Sequence, residues 1–278
     1  MSNAMVMAGV AGSPIEHSLS PVIHEAAFHA LGLAWRSERF LVGLGQGADF
    51  VTMAKERGLR GFSVTMPLKS ELLDLVDWVD SSAWRLQSIN CVAIEDDQTT
   101  GYSTDGEGFI NWLRYDAKFE PKDRHCVIIG AGGAARAVAA ALADAGAAKV
   151  GIMARRHDQV ERACVMVGAV CSSVTEEDLE MADLVVNATP QGMVGTAHAD
   201  SMPCDPRRVR HDAVAVDLVY EPLETAWMLA LRSTDHVVFG GLGMLIHQAA
   251  IQIELWTGAE APIPEMVKAI NAVMGERQ

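Results

Sequence analysis

Four groups of side chains in this 278-residue chain have types and spacings that can do chemistry. Val127-Ile128-Ile129-Gly130-Ala131-Gly132-Gly133-Ala134-Ala135 is a Gly-x-Gly-x-x-Ala loop between an apolar strand pattern and an Ala-rich helix pattern, the arrangement that holds a dinucleotide. Its first glycine makes the tight turn, its second lets a pyrophosphate approach the backbone, and its third small residue lets helix and strand pack closely. The helix N-terminus adds partial positive charge and N–H donors. The next strand ends in Ala154-Arg155-Arg156. A carboxylate there would bind a ribose diol, whereas guanidiniums grip a 2′-phosphate and stack on adenine. The reading is NADP rather than NAD; the alternative is that both arginines are solvated surface charges.

The other three groups fall in the first 110 residues. His17-Ser18-Leu19-Ser20-Pro21 places two hydroxyls on a turn at a helix start, where hydroxyls and N–H groups suit a small carboxylate. Ser20 as a plain N-cap is the competing reading. Ser63-Val64-Thr65-Met66-Pro67-Leu68-Lys69 reads as a strand running into a Pro-turn that opens a helix, with a lysine in its first turn. Strand ends in open α/β sheets line ligand crevices, and a lysine there is a candidate general acid/base; an exposed helix lysine is the alternative. Tyr102-Ser103-Thr104-Asp105-Gly106 sits at a junction between two α/β patterns. Its aspartate reads as a cleft-facing acid, as the N-cap of a helix over 107–115, or as both.

The elements that must position these residues alternate. Strand patterns cover 7–12, 34–42 and 60–65, with a helix from Ser20 to Gly32 and another over 48–57 stopped by Gly58. Segments 89–95 and 101–103, joined through 96–100, read as a hairpin. A second cycle runs strand 126–129, helix 134–145, strand 149–153, then strands 183–188, 213–218 and 237–239. The last segments, 245–256 and 264–274, are helical. Alternation of this kind predicts α/β layers with mainly parallel sheets.

Composition narrows the class. Lys plus Arg is 22 against 36 Asp plus Glu, a net charge of −14, with half the residues hydrophobic and 21% charged. That is a globular balance, and the acidity argues against nucleic-acid or acidic-membrane partners. No apolar run is long enough to span a bilayer. Met1-Ser2-Asn3-Ala4-Met5 is too short and uncharged for a signal peptide and reads as a tag remnant, so fold reasoning begins at Met5. Five cysteines without a Cys-x-x-Cys point to no disulfide framework or zinc ribbon and to a reducing cytoplasm. His24 and His29 are five apart, not the four of a zinc-protease motif, and read as ordinary helix residues; no metal is expected. The sequon Asn187-Ala188-Thr189 falls at a strand end.

Taken together, the motifs resemble the shikimate dehydrogenase family over residues 8–274. In order they are Gly12-Ser13-Pro14-Ile15-Glu16-His17-Ser18-Leu19-Ser20-Pro21, Val64-Thr65-Met66-Pro67-Leu68-Lys69, Ile89-Asn90, Thr104-Asp105-Gly106 and the glycine loop. Asn187-Ala188-Thr189-Pro190-Gln191-Gly192-Met193, Asp217-Leu218-Val219-Tyr220 and Gly241-Leu242-Gly243-Met244-Leu245-Ile246-His247-Gln248-Ala249-Ala250 follow. The resemblance implies two α/β domains with a cleft between them: a substrate domain of 5–105 with 245–278, and a Rossmann-type NADP-binding domain of 106–244. It implies reversible NADP-linked reduction of 3-dehydroshikimate to shikimate in aromatic amino-acid biosynthesis, in a cytoplasmic monomer or homodimer. It further implies Lys69 and Asp105 as the catalytic pair. Ser18 and Ser20, assisted by Tyr220, would hold the substrate carboxylate, and Thr65, Asn90 and Gln248 the ring hydroxyls. Gly130, Ala131, Gly132, Gly133 and Ala134 would hold the pyrophosphate, Arg155 with Arg156 the adenosine phosphate, and Gly243 and Met244 the nicotinamide end.

The chain departs from the family pattern at three places. Ser63 and Ser103 stand where Asn is usual, and Ala154-Arg155-Arg156 replaces Asn-Arg-Thr. Each Asn-to-Ser change removes an amide, and a lost hydrogen bond is worth about 0.5–1.5 kcal/mol. Two alternatives therefore stand beside shikimate dehydrogenase: a quinate or shikimate-like dehydrogenase with altered polyol or NAD preference, and a non-catalytic NADP-binding sensor. By the same resemblance, the paired serines 18 and 20 favour shikimate over quinate.

Overall fold

The computed structural model describes residues 5–276, which form two compact units. One runs through Thr104 and resumes at Leu245; the other is Asp105–Met244.

The first unit contains β1 (Met5–Gly12), α1 (Ser20–Ala30), β2 (Trp35–Leu41), α2 (Gly47–Glu56), β3 (Gly61–Val64), β4 (Trp78–Val79), α3 (Ser81–Leu86), β5 (Cys91–Glu95) and β6 (Gln98–Tyr102). The second contains α4 (Asp105–Tyr115), β7 (His125–Ile129), α5 (Gly133–Asp144), β8 (Lys149–Met153), α6 (His157–Val167), β9 (Cys171–Ser173), β10 (Leu184–Asn187), β11 (Val214–Asp217), α7 (Ala226–Arg232) and β12 (Val237–Phe239). Helix α8 (Leu242–Thr257) begins in the second unit and continues in the first, where α9 (Ile263–Glu276) packs against α1.

The first sheet has the order β2-β1-β3-β5-β6-β4 and is mixed. Its β1/β2, β1/β3 and β4/β6 pairs are parallel, and its β3/β5 and β5/β6 pairs antiparallel. Its core includes Phe50, Phe62, Leu68, Leu72, Ile89 and Val92. The second sheet, β12-β11-β10-β7-β8-β9, is parallel throughout. Numbered from β7 as the first strand, this is the 3-2-1-4-5-6 order of the dinucleotide-binding fold, with the topological switch between β7 and β10. All four residues of β10 are buried, the pattern of a strand covered on both faces.

Several local expectations are corrected. Helix α1 starts with Leu19 at its N-cap position and no side-chain cap, so Ser20 is the first helical residue rather than the cap. Pro67 opens no α-helix: residues 66–70 are turns that lead into a short 3₁₀ stretch, Glu71–Asp74. The β5/β6 hairpin closes in two residues, not five. Asp96 and Asp97 both sit at positive φ, 49° and 64°, as a type I′ turn requires, and a short aspartate tolerates that region. Asp105 lies within the first turn of α4 rather than ahead of it. Helix α6, not among the expected elements, buries Val160, Ala163 and Val167 on one face at helical spacing.

Candidate active site

In the first unit, strand register alone gathers most of the candidate residues. The parallel β1 and β3 end together, since Ala11 is opposite Val64. Antiparallel pairing brings the start of β5 and the end of β6 to that same edge, with Ser63 opposite Cys91 and Cys91 opposite Tyr102. The segments leaving that edge carry Ser18 and Ser20, Thr65 and Lys69, Asn90, and Thr104. They are tied to one another. Ser13 N–H donates to Met66 O at 2.8 Å, Thr65 N–H to Ala11 O at 3.0 Å, and Ile89 N–H to Lys69 O at 2.7 Å. Lys69 is half-buried on its turn.

The serine turn is internally bonded, with Ser20 N–H donating to Ser18 Oγ at 3.3 Å. Arg39 on β2 donates twice to the Ser18 carbonyl, at 3.0 and 2.6 Å. This cation beside the serine turn is a feature that sequence reasoning misses, because its partner is 21 residues away.

Helix α8 adds Gln248 to the edge. Asn90 Nδ2 donates to Thr104 Oγ1 at 2.9 Å and to Gln248 Oε1 at 3.3 Å, and Thr104 N–H donates to Asn90 Oδ1 at 2.7 Å. Gln252, one turn further along α8 and fully buried, joins the same group. So does Ser63, through a hydroxyl bonded to Gln252 and to His24. His24 is thus not an ordinary helix residue: it is wholly buried, edge-on to Trp256 with ring centroids 5.0 Å apart. Burial lowers its pKa to about 3. His29, by contrast, is exposed.

In the second unit the ends of the parallel strands again share one edge, as Ile129 is opposite Met153 and Asn187, and Asn187 is opposite Asp217. The glycine loop, Arg155 and Arg156, the 187–193 segment, Tyr220 and Gly243 with Met244 all leave from it or from its neighbouring strand β12. Gly130 has φ 124°, and a Cβ there would lie 2.9 Å from the Ala188 carbonyl oxygen, so only glycine fits. Gly132 occupies the N-cap of α5 with no side-chain cap and open space where a Cβ would stand. Uncapped N–H groups facing open space suit a phosphate. Arg155 and Arg156 are exposed in the turn between β8 and α6. Asp105, buried, begins α4, and Gly106 behind it lets α4 approach α5 so closely that a Cβ would meet the Ala137 carbonyl at 2.6 Å.

Asn187 is no accessible glycosylation site: it is fully buried and donates to Asp217 Oδ1 at 2.9 Å. Asp217, also fully buried, accepts in addition from Val219 N–H at 3.0 Å and Thr225 Oγ1 at 2.8 Å. Burial raises its carboxyl pKa while these donors oppose the rise. The carboxylate thereby staples the 218–225 loop that carries Tyr220. Replacing it with Ala orphans three buried donors. Asp217→Ala should lower unfolding free energy by about 2–4 kcal/mol, read as a shift in urea midpoint with unchanged slope.

One unit with a Rossmann-type sheet and an open glycine loop, in the same chain as a mixed α/β unit that gathers hydroxyls, amides and a lysine at one sheet edge, defines a nicotinamide-nucleotide-dependent oxidoreductase. Comparison with known proteins gives the family. Residues 10–92 match the shikimate dehydrogenase substrate binding domain, residues 118–209 an NAD(P)-binding model, and residues 241–270 the shikimate 5′-dehydrogenase C-terminal domain. The chain is 38% identical to the NADP(+) shikimate dehydrogenase of Moorella thermoacetica over 95% of its own length and 92% of the relative's. It is similar to the crystal structure of Thermus thermophilus shikimate 5-dehydrogenase in complex with NADP(H) and shikimate. There the TM-score is 0.88 at 32% identity, with 96% and 99% of the two chains covered. It is also similar to quinate dehydrogenase from Corynebacterium glutamicum in complex with NAD, with TM-score 0.87, 29% identity, and 96% and 99% covered. The chain belongs to the shikimate dehydrogenase family.

Proposed function

We propose that this chain catalyses the reversible NADP-linked reduction of 3-dehydroshikimate to shikimate. The observation that carries the reading is the convergence of Ser18, Ser20, Thr65, Lys69, Asn90 and Gln248 at one sheet edge of the unit that matches the substrate-binding family model. A ring bearing one carboxylate and several hydroxyls needs that mixture: hydroxyls and a nearby cation for the carboxylate, amides and a hydroxyl for the ring oxygens, and one group able to exchange a proton.

In this reading Lys69 Nζ passes a proton to the oxygen that becomes the hydroxyl, and takes it back in the reverse direction. Asp105 orients that exchange and hydrogen-bonds the substrate. Ser18 and Ser20 hold the carboxylate, assisted by Tyr220, while Thr65, Asn90 and Gln248 hold the ring hydroxyls. The Gly130–Ala134 loop holds the pyrophosphate on the N-terminus of α5, and Arg155 with Arg156 holds the 2′-phosphate. Gly243 and Met244 lie toward the nicotinamide. Bound NADP supplies the hydride chemistry at its nicotinamide C4. An odd number of cysteines with no Cys-x-x-Cys supports a reducing, cytoplasmic setting, and among the described residues no helix is long and apolar enough to cross a membrane.

The test is a matrix assay. Purified protein is given shikimate or quinate with NADP or NAD, and reduced nicotinamide is followed by absorbance. Shikimate with NADP should be the best pair. Quinate with NAD as the best pair would transfer the assignment to the quinate dehydrogenase reading that the Corynebacterium structure keeps open. Binding without turnover on every pair would leave a nucleotide sensor. Arg155→Ala should raise the KM for NADP about 10–100-fold with little effect on NAD, since a charge-assisted bond to phosphate is worth about 1.5–3 kcal/mol.

A further inference from the structure

Within the first unit, the hydrogen-bond direction of a buried chain can be worked out atom by atom. Gln252 Nε2 lies 3.3 Å from the backbone carbonyl oxygen of Asn90, which can only accept. That sets the amide orientation, so Gln252 Oε1 is the atom that faces Ser63 Oγ, 2.5 Å away. An amide oxygen only accepts, so Ser63 must spend its single proton on Gln252. Ser63 Oγ must then accept from His24 Nε2–H at 3.3 Å, which leaves His24 Nδ1 to accept from the Ser37 hydroxyl at 2.8 Å. At the other end, Gln252 Nε2 donates to Gln248 Oε1 at 2.6 Å and to Thr104 Oγ1 at 3.3 Å. Gln248 Oε1 also accepts from Asn90 Nδ2 at 3.3 Å, and Gln248 Nε2 donates to the Leu245 carbonyl at 2.7 Å. Every link runs one way, from Ser37 through His24, Ser63 and Gln252 to Gln248. Both glutamines sit on one face of α8, four residues apart.

The polarity has a consequence for recognition. With Gln248 Oε1 turned inward onto two donors, the edge of its amide left for a ligand is an N–H, a donor. Without Gln252 the Gln248 oxygen loses the shorter of the two donors that hold it inward, and the amide keeps its orientation only through the 3.3 Å bond from Asn90 and the bond to Leu245. We propose that Gln252 is a positioning residue that sets the Gln248 amide as an oriented donor toward a ring hydroxyl of the substrate, and that Ser63 and His24 hold Gln252 in the orientation this requires. The inference rests on the functional reading above.

The test uses the full-length protein, shikimate, and shikimate analogues each lacking one ring hydroxyl. Gln252→Leu removes the amide at similar volume. It should raise the KM for shikimate about tenfold, the value of one oriented hydrogen bond of roughly 1.4 kcal/mol, with kcat and the KM for NADP nearly unchanged. The penalty should vanish for the analogue lacking the hydroxyl that Gln248 holds. A merely structural role would instead penalise every analogue and NADP alike, and that result would overturn the proposal, as would an unchanged KM for shikimate in the folded variant. Should Gln252→Leu not fold, the pair Ser63→Asn with Gln252→Ala moves the amide from α8 to β3; a KM for shikimate near the wild-type value supports the proposal, and a folded pair with the same tenfold or greater rise defeats it. Wild-type protein inactive on shikimate would overturn the functional reading itself and the proposal with it, whereas active wild type with an unaffected Gln252→Leu removes the proposal alone.

Discussion

Lys69→Ala is expected to lower shikimate turnover by about 10²–10⁴-fold, the usual contribution of one positioned acid/base. The argument rests on placement. The Lys69 backbone is clamped by the bond from Ile89, its side chain is half-buried, and it follows Thr65 on the turns that leave β3. Lys69→Arg sharpens the test, because arginine keeps the charge and cannot release a proton near neutrality. If Lys69 exchanges the proton, the Arg variant should lose nearly as much kcat as the Ala variant while keeping its KM for NADP. A variant with the charge kept and the rate kept would show that Lys69 acts only as a cation. An unchanged rate in Lys69→Ala would reassign it to a solvent-facing turn.

The second large effect is acid sensitivity through His24. Its pKa is lowered from 6.5 to about 3, with burial as the cause, and its contacts Ser37, Ser63, Phe28 and Trp256 are uncharged. Between those two values the unfolded chain binds a proton that the folded chain does not. Stability is therefore fully present above about pH 6.5 and is lost as pH falls toward 3. At 1.36 kcal/mol per unit once the unfolded ring is mostly protonated, going from pH 6.5 to 4.5 should cost about 2 kcal/mol through this side chain alone. His125, which burial also lowers, adds a smaller slope in the same direction. The informative quantity is thus the difference between wild type and His24→Gln, which keeps a donor for Ser63 but cannot titrate. The variant should show a urea-derived stability flatter by about one proton's worth over that range. Equal slopes would mean that the ring is already protonated in the folded protein.

Much of this was legible without coordinates, and the residues show why. The glycine loop is a local device: a tight turn, a positive-φ glycine and an uncapped helix start follow from neighbouring residues, so motif and structure coincide from Gly130 to Ala134. Strands β7, β8 and β12 are runs of apolar residues bounded by turns, and their limits read almost to the residue. Where local signals conflicted, the reading slipped. Ser20-Pro21 has the composition of a cap and first turn, yet the helix took Ser20 as its first residue. Met66-Pro67 has the look of a helix start, yet the chain there is committed to bonds with Ser13 and to the turn holding Lys69. The Asp96-Asp97 turn was hidden because aspartate at positive φ is uncommon.

The sequence by itself determined the alternation of elements, the dinucleotide loop and the identity of the chemically competent side chains, because each depends on residues within a turn or two of one another. Only the tertiary structure decided which of them meet. Strand register, a property of pairings as far apart as Ala11 and Val64, brings Thr65, Asn90 and Thr104 to one edge. The crossing of α8 over that edge delivers Gln248 and, unannounced by any motif, Gln252. A buried polar atom must find its partner wherever the fold supplies one, so Ser63, read as a lost amide, is answered from 189 residues away. For the same reason His24, read as an ordinary helix residue, is a wholly enclosed link in that chain.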